Sequence, residues 1–139
     1  MTSPERILLG DTVAKSRYHL TRASLVRYAG ASGDFNPIHY RDDIAADVGL
    51  PGVLAQGMLT LGLATQCVVD WLGDPARING YRARFTKPVV VHPEDGAFVD
   101  VVAKAAEVDD DAGSARIDLT VTCDGHTVLG KSQVWISLH

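Results

Sequence analysis

Runs of basic residues are missing from the 139-residue chain, in which 13 Lys and Arg face 17 Asp and Glu for a net charge of −4. Partners whose recognition rests on neutralising phosphates, nucleic acid or an anionic membrane, are therefore not expected. Cysteine is scarce as well. Cys67 and Cys123 lie far apart in apolar segments and form no C-x-x-C pattern, so they read as small hydrophobes in a reducing compartment. No two-histidine or cysteine set stands behind the carboxylates Asp34, Asp42 and Asp43 near His39, and no metal is expected. Residues 1–9 carry Glu5 and Arg6 and lack a long apolar region, so no secretory signal is visible and the cytoplasm is the expected location.

One stretch has no charge at all, Val48 to Val69. Its interior is diluted by Gly49, Pro51, Gly52, Gln56, Gly57, Thr60, Gly62, Thr65 and Gln66, too many polar and helix-weakening residues for a good membrane span. A buried helix fits better. The length suits one domain, residues 1–139, with room for a proper core.

Taken in order, Thr12 to Leu20 is compatible with a strand. Thr21 is a good N-cap, and Leu20 with Leu25 has the spacing of a hydrophobic staple, so a short helix starts there and ends at Gly33. Asp42 and Asp43 favour a second helix start, with Ile44 to Val48 helical in type and Gly49 and Pro51 stopping it. A long helix follows from about Ala55 to Leu72, apolar almost all round and closed by Gly73, Asp74 and Pro75; such a helix needs to be surrounded. The rest is β in pattern. Gly80 to Val91 alternates Tyr81, Ala83 and Phe85 against Arg82, Arg84 and Thr86. Ala97 to Ala105 is apolar at every odd position, and Ser114 to Cys123 sets Ala115, Ile117, Leu119, Val121 and Cys123 on one face. Asp124-Gly125 is a strong hairpin turn into His126 to Leu138. An antiparallel sheet with one apolar face around one apolar helix is an α+β architecture. Its open edges make a dimer with sheets side by side the expected state.

The stretch that concentrates chemistry is Tyr28 to Tyr40, YAGASGDFNPIHY. Gly33 admits a positive φ, and Pro37 pushes Asn36 out of the helical region, so a shaped loop must carry Asp34, Asn36 and His39. Such a loop can bring a carboxylate and an imidazole to one proton, as acid–base catalysis requires. The residues by themselves favour a plain turn, with Asp34 capping, Asn36 in an Asx-turn and His39 half-buried. His19, His92, His126 and His139 have no partner pattern, and surface or strand-end roles are their default.

The run Gly33-Asp34-Phe35-Asn36-Pro37-Ile38-His39 resembles the G-D-x-N-P-[LIV]-H signature of the MaoC-like, or (R)-specific enoyl-thioester hydratase and dehydratase, family. Tyr28-Ala29, Gly57-Met58-Leu59, Arg84-Phe85 and Pro88-Val89 extend the likeness over nearly the whole chain. It is most similar to the catalytic subunit of two-subunit (3R)-hydroxyacyl-ACP dehydratases. The resemblance implies a hot-dog fold, an antiparallel sheet wrapped around one long central helix. It also implies hydration of enoyl thioesters, on CoA or an acyl carrier protein, without a cofactor. Asp34 and His39 are then the catalytic pair. Asn36 holds the loop or the water, and the N–H of Gly57 at the start of the long helix is an oxyanion donor. Thr60 is a candidate to line the site. Arg82, Arg84 and Lys87 form a basic stripe that either meets the phosphates of CoA or an acidic carrier protein, Arg84 foremost, or is the solvated face of a strand.

The chain departs from the family where Gln56 stands in place of the usual histidine before Gly57. A hot-dog thioesterase, the nearest rival, usually places a carboxylate on or beside the long helix, whereas this one has none before Asp70. A non-catalytic subunit shaping a partner's acyl tunnel, or a module that binds acyl-CoA without turnover, are the other readings. The partner subunit is either identical or a related hot-dog chain.

Overall fold

The computed structural model describes residues 3–139. Five strands, β1 (Thr12–Leu20), β2 (Ile78–Phe85), β3 (Ala97–Asp109), β4 (Ser114–Cys123) and β5 (His126–Ser137), form one sheet in the order β1-β3-β4-β5-β2. Every pairing is antiparallel. Three helices, α1 (Arg22–Ser32), α2 (Asp42–Asp47) and α3 (Gly57–Leu72), occur among the described residues, with short 3₁₀ turns at Pro4–Arg6, Pro37–His39 and Pro75–Arg77. This is the hot-dog arrangement, with α3 in the concave side of the sheet.

Alternation builds the lining. Val99, Val101, Ala103 and Ala105 of β3 and Ala115, Ile117, Leu119, Val121 and Cys123 of β4 are buried on one face. Against them α3 buries Leu61, Ala64, Cys67, Val68, Trp71 and Leu72. Each large side chain so removed from water contributes about 1.5–3 kcal/mol. The expectation that α3 is covered all round is corrected: Met58, Gly62, Gln66 and Asp70 make an exposed stripe at four-residue spacing. One sheet covers one side of a helix.

The helix before the signature loop forms as its cap dictates. The Thr21 side chain accepts from the Ser24 N–H while the Ser24 hydroxyl accepts from the Thr21 N–H, a reciprocal capping box. Gly33 ends the helix in the left-handed region at φ 77°, its N–H donating to the Ala29 carbonyl at 2.9 Å. The second helix starts at Asp42, with Asp42 and Asp43 in its first turn as expected.

The expected strand Gly80–Val91 is shorter, because the ladder to β5 ends at Phe85 opposite Leu129 and Pro88 has no N–H to continue it. Residues 89–91 turn instead to residues 53–55. The Ala55 N–H donates to the Val89 carbonyl and the Val91 N–H to the Val53 carbonyl, each at 2.9 Å, with a bridge between Leu54 and Val90. Two register shifts break the alternation of β5, one around Lys131, which has φ 44°, and one at Val128, so that Val128 and Leu129 are both buried before Ser132, Val134 and Ile136 resume the inward phase.

Candidate active site

Pro37 opens a 3₁₀ turn through His39, and the Asn36 side-chain oxygen caps it by accepting from the Ile38 N–H at 3.2 Å. Asp34 works in the same way one step earlier, its Oδ1 accepting from the Asn36 N–H at 3.2 Å. Two nested side-chain turns therefore shape the loop, and Asn36 spends its oxygen on shape. What they leave pointing outward is the other carboxylate oxygen, Asp34 Oδ2, 3.6 Å from His39 Nε2.

The imidazole is fixed from its other side. His39 is 9% exposed, and its Nδ1 lies 2.7 Å from the Leu54 carbonyl oxygen. A carbonyl can only accept, so Nδ1 carries the proton and Nε2 of the neutral ring presents its lone pair. The Leu54 N–H in turn donates to the Ile38 carbonyl at 3.1 Å, tying the turn to the 53–55 segment at two points.

His39 opens onto a cavity of about 350 Å³ with Leu54, Ala55, Phe85, Val89 and Leu129 among its apolar walls. Gly57 and Thr60, in the first turn of α3, line it as well. Gln56 contributes no side-chain cap, and its carbonyl receives the N–H groups of Leu59 and Thr60. The N–H groups of Gly57 and Met58 therefore have no acceptor within the helix and sit at its positive end. The aromatic ring of Phe85 lies directly over Gly57, where an added Cβ would stand 2.9 Å from Phe85 Cε1. Only a glycine lets these groups approach so closely.

The structure thus brings together His39, Gly57 and Thr60 around the cavity, with Asp34 reaching it through His39. Arg84, expected to meet substrate, is exposed and lines none of it. Its neighbour in the expected stripe, Lys87, does, with its ammonium 3.4 Å from His126 Nδ1. Arg82 is engaged elsewhere, with Gln133 and over the Trp135 ring. The walls from Val128 and Leu129 are not among the expected site residues; two adjacent apolar residues interrupting an alternating strand are their signal. Among the described residues, no group of three His, Cys, Asp or Glu is arranged to hold a metal ion, and no helix is long and apolar enough to cross a membrane.

The family model of the MaoC like domain matches residues 8–123. The chain belongs to the MaoC-like domain family. Its MaoC-like segment is 36% identical over 80 residues to "3-hydroxyacyl-thioester dehydratase X" of Mycobacterium tuberculosis, covering 58% of this chain and 28% of that protein. A solved structure named "MaoC-like dehydratase" superposes with a TM-score of 0.93 at 32% identity, over 97% of this chain and 42% of that one. The (R)-hydratase from A. caviae involved in PHA biosynthesis shares the fold at a TM-score of 0.79, with 21% identity and 94% and 95% of the two chains covered. The chain thus spans less than half the length of the first two.

Proposed function

We propose that this MaoC-like domain catalyses the reversible hydration of trans-2-enoyl thioesters and, in reverse, the dehydration of (3R)-3-hydroxyacyl thioesters. The observation that carries the reading is a single-tautomer histidine, His39, facing Asp34 at the mouth of an apolar cavity that ends on the first turn of α3. The similarity to proteins named as dehydratase and hydratase supports it.

In dehydration, His39 Nε2 takes the C2 proton, and the electrons move into the thioester carbonyl, whose oxygen receives the N–H of Gly57. One such donor is worth roughly 3 kcal/mol of barrier. The C3–O bond then breaks, and the imidazolium returns its proton to the departing hydroxyl, which the Asp34 carboxylate holds. Water leaves, and both side chains end as they began. Hydration runs the same steps backward. A positioned acid–base group contributes roughly 10²- to 10⁴-fold in rate.

The acyl carrier is CoA or an acyl carrier protein, and Lys87 at the cavity wall is better situated than Arg84 to meet its phosphate or acidic groups. The acting unit is a dimer with an identical or a related hot-dog subunit, since β1 and β2 each leave a free sheet edge. Absorbance of the conjugated enoyl thioester, followed after mixing short trans-2-enoyl-CoA with the parent and with His39→Ala, tests the reading. Decay with the parent alone is expected; equal decay, or none with either, overturns it for this substrate.

A further inference from the structure

Arg22 opens α1, far along the chain from the signature loop, yet its guanidinium touches both structures that frame His39. Its NH1 and NH2 groups donate to the two carboxylate oxygens of Asp42 at 3.1 and 2.9 Å, and its Nε–H donates to the Val91 carbonyl at 2.6 Å. Asp42 is the first residue of α2 and lies three places after His39. Val91 belongs to the segment that pairs with residues 53–55, whose Leu54 carbonyl holds the His39 ring. Contacts therefore run in a closed circuit from His39 to Leu54, across the 53–55 and 89–91 ladder to Val91, through Arg22 to Asp42, and back along the chain to His39.

A planar guanidinium is the side chain suited to this task, because three of its N–H groups are committed in one plane to three fixed oxygens; an ammonium has no such geometry. The Arg22 side chain is 22% exposed, so the site is neither dry nor free in solvent. An exposed ion pair of this kind adds little to global stability. What it constrains is the distance between the turn that carries His39 and the segment that orients its ring. Neither Arg22 nor Asp42 lines the cavity.

We infer that Arg22, clamped between Asp42 and the Val91 carbonyl, is a positioning residue that holds His39 in register with Asp34 and with the Leu54 carbonyl. The inference rests on the hydratase reading for its kinetic consequence and on geometry alone for its structural one. A misplacement of the base on the order of 1 Å can cost up to about 100-fold in rate. The loss falls mainly on kcat, since no side chain that lines the cavity is itself altered.

The test compares the full chain with Arg22→Gln, Asp42→Asn, the double variant, and Arg116→Gln as a control. Arg116 forms ion pairs with Asp118 and Glu107 on the sheet, has an equally exposed side chain at 22%, and lines no part of the cavity. Two quantities are read: kcat and KM on short trans-2-enoyl-CoA, and the imidazole ¹⁵N signals of His39 by NMR, which report its tautomer. Arg22→Gln and Asp42→Asn each lower kcat at least about tenfold with KM changed less than about twofold. Both shift the His39 signals, the double variant falls short of the product of the singles, and the control does neither. Parental kcat and unshifted His39 signals in both single variants, or an equal effect from Arg116→Gln, overturn the clamp. Should Arg22→Gln fail to fold, Asp42→Asn carries the same comparison. A parent inactive on the enoyl thioester defeats the hydratase reading instead, and the His39 signals then decide the clamp by themselves.

Discussion

His39 Nε2 and Asp34 Oδ2 stand 3.6 Å apart, a separation that a small shift of either ring or carboxylate brings to hydrogen-bond range. The carboxylate does double duty, since its Oδ1 also accepts from the Asn36 N–H. Asp34→Asn separates the two roles. The amide retains an oxygen for the Asn36 N–H and loses the charge that faces the imidazole. Folding is expected to be intact, with the thermal midpoint close to the parent's, while kcat falls roughly 10²- to 10⁴-fold. Normal turnover by Asp34→Asn removes the carboxylate from the chemistry.

The contact between Gly57 and Phe85 makes a second, non-additive expectation. Gly57→Ala keeps the backbone N–H but drives the new Cβ into the Phe85 ring, which is 57% exposed and free to swing. Stability is expected to change by less than about 1 kcal/mol, because alanine favours the helix over glycine by roughly that amount. The displaced ring crowds the cavity, so KM rises. In a Phe85→Ala background the same change at 57 has little left to push, and its effect on KM shrinks. Additive effects in the four-variant cycle would show that Gly57 matters for some reason other than this ring.

How far the sequence reaches is clearest at this site. Gly33, Asn36 and Pro37 act locally, through a positive φ, a side-chain turn and a missing N–H, and the loop they shape is readable from residue types alone. The Leu54 carbonyl that fixes the His39 tautomer is a backbone group, and any residue at 54 presents one. Nothing in the sequence marks it. Alternation assigns Phe85 to one face of β2, but its place over Gly57 depends on where α3 starts, which propensity leaves open by a residue or two. Val128 and Leu129, an adjacent apolar pair, signal a break in the alternation of β5, but the register shifts that turn both into walls are a tertiary accommodation. The same holds for α3, whose apolar composition predicts burial all round; its exposed stripe reflects how much sheet one chain of this length supplies.

The two cysteines supply a chemical check on packing. Cys67 is 1% exposed and Cys123 is 7% exposed, and burial pushes both thiols above their ordinary range, so little thiolate forms near neutral pH. The Ser16 hydroxyl donates to Cys67 Sγ at 3.3 Å, which stabilises a thiolate slightly but does not reverse the direction. In the folded protein at pH 8, reaction with an aromatic disulfide reagent is expected to be slow for both. In denaturant both titrate at once. Rapid labelling of either in the native state contradicts the core packing described for α3 or β4.

Gln56 is 1% exposed, and only half of its amide is satisfied: Nε2 donates to the Leu25 carbonyl at 2.9 Å, while Oε1 has no hydrogen-bond partner among the described residues. A buried orphan acceptor costs about 1–3 kcal/mol, and the one bond made returns roughly 0.5–1.5 kcal/mol. Gln56→Met removes both at similar length, and the Leu25 carbonyl, lying within α1, keeps its helical acceptor role. Its stability by urea denaturation is expected within about 1 kcal/mol of the parent's. Gln56→Glu should behave differently. Burial raises the folded-state pKa of such a carboxyl above its unfolded value of about 4.3, so between the two the native state holds a proton that the unfolded state has lost. Stability of this variant relative to the parent is therefore present at low pH and lost as pH climbs through that window, making it weaker at pH 8 than at pH 5. Equal stability at both pH values would mean that position 56 is wetted, and the half-satisfied amide would then have water for its missing partner.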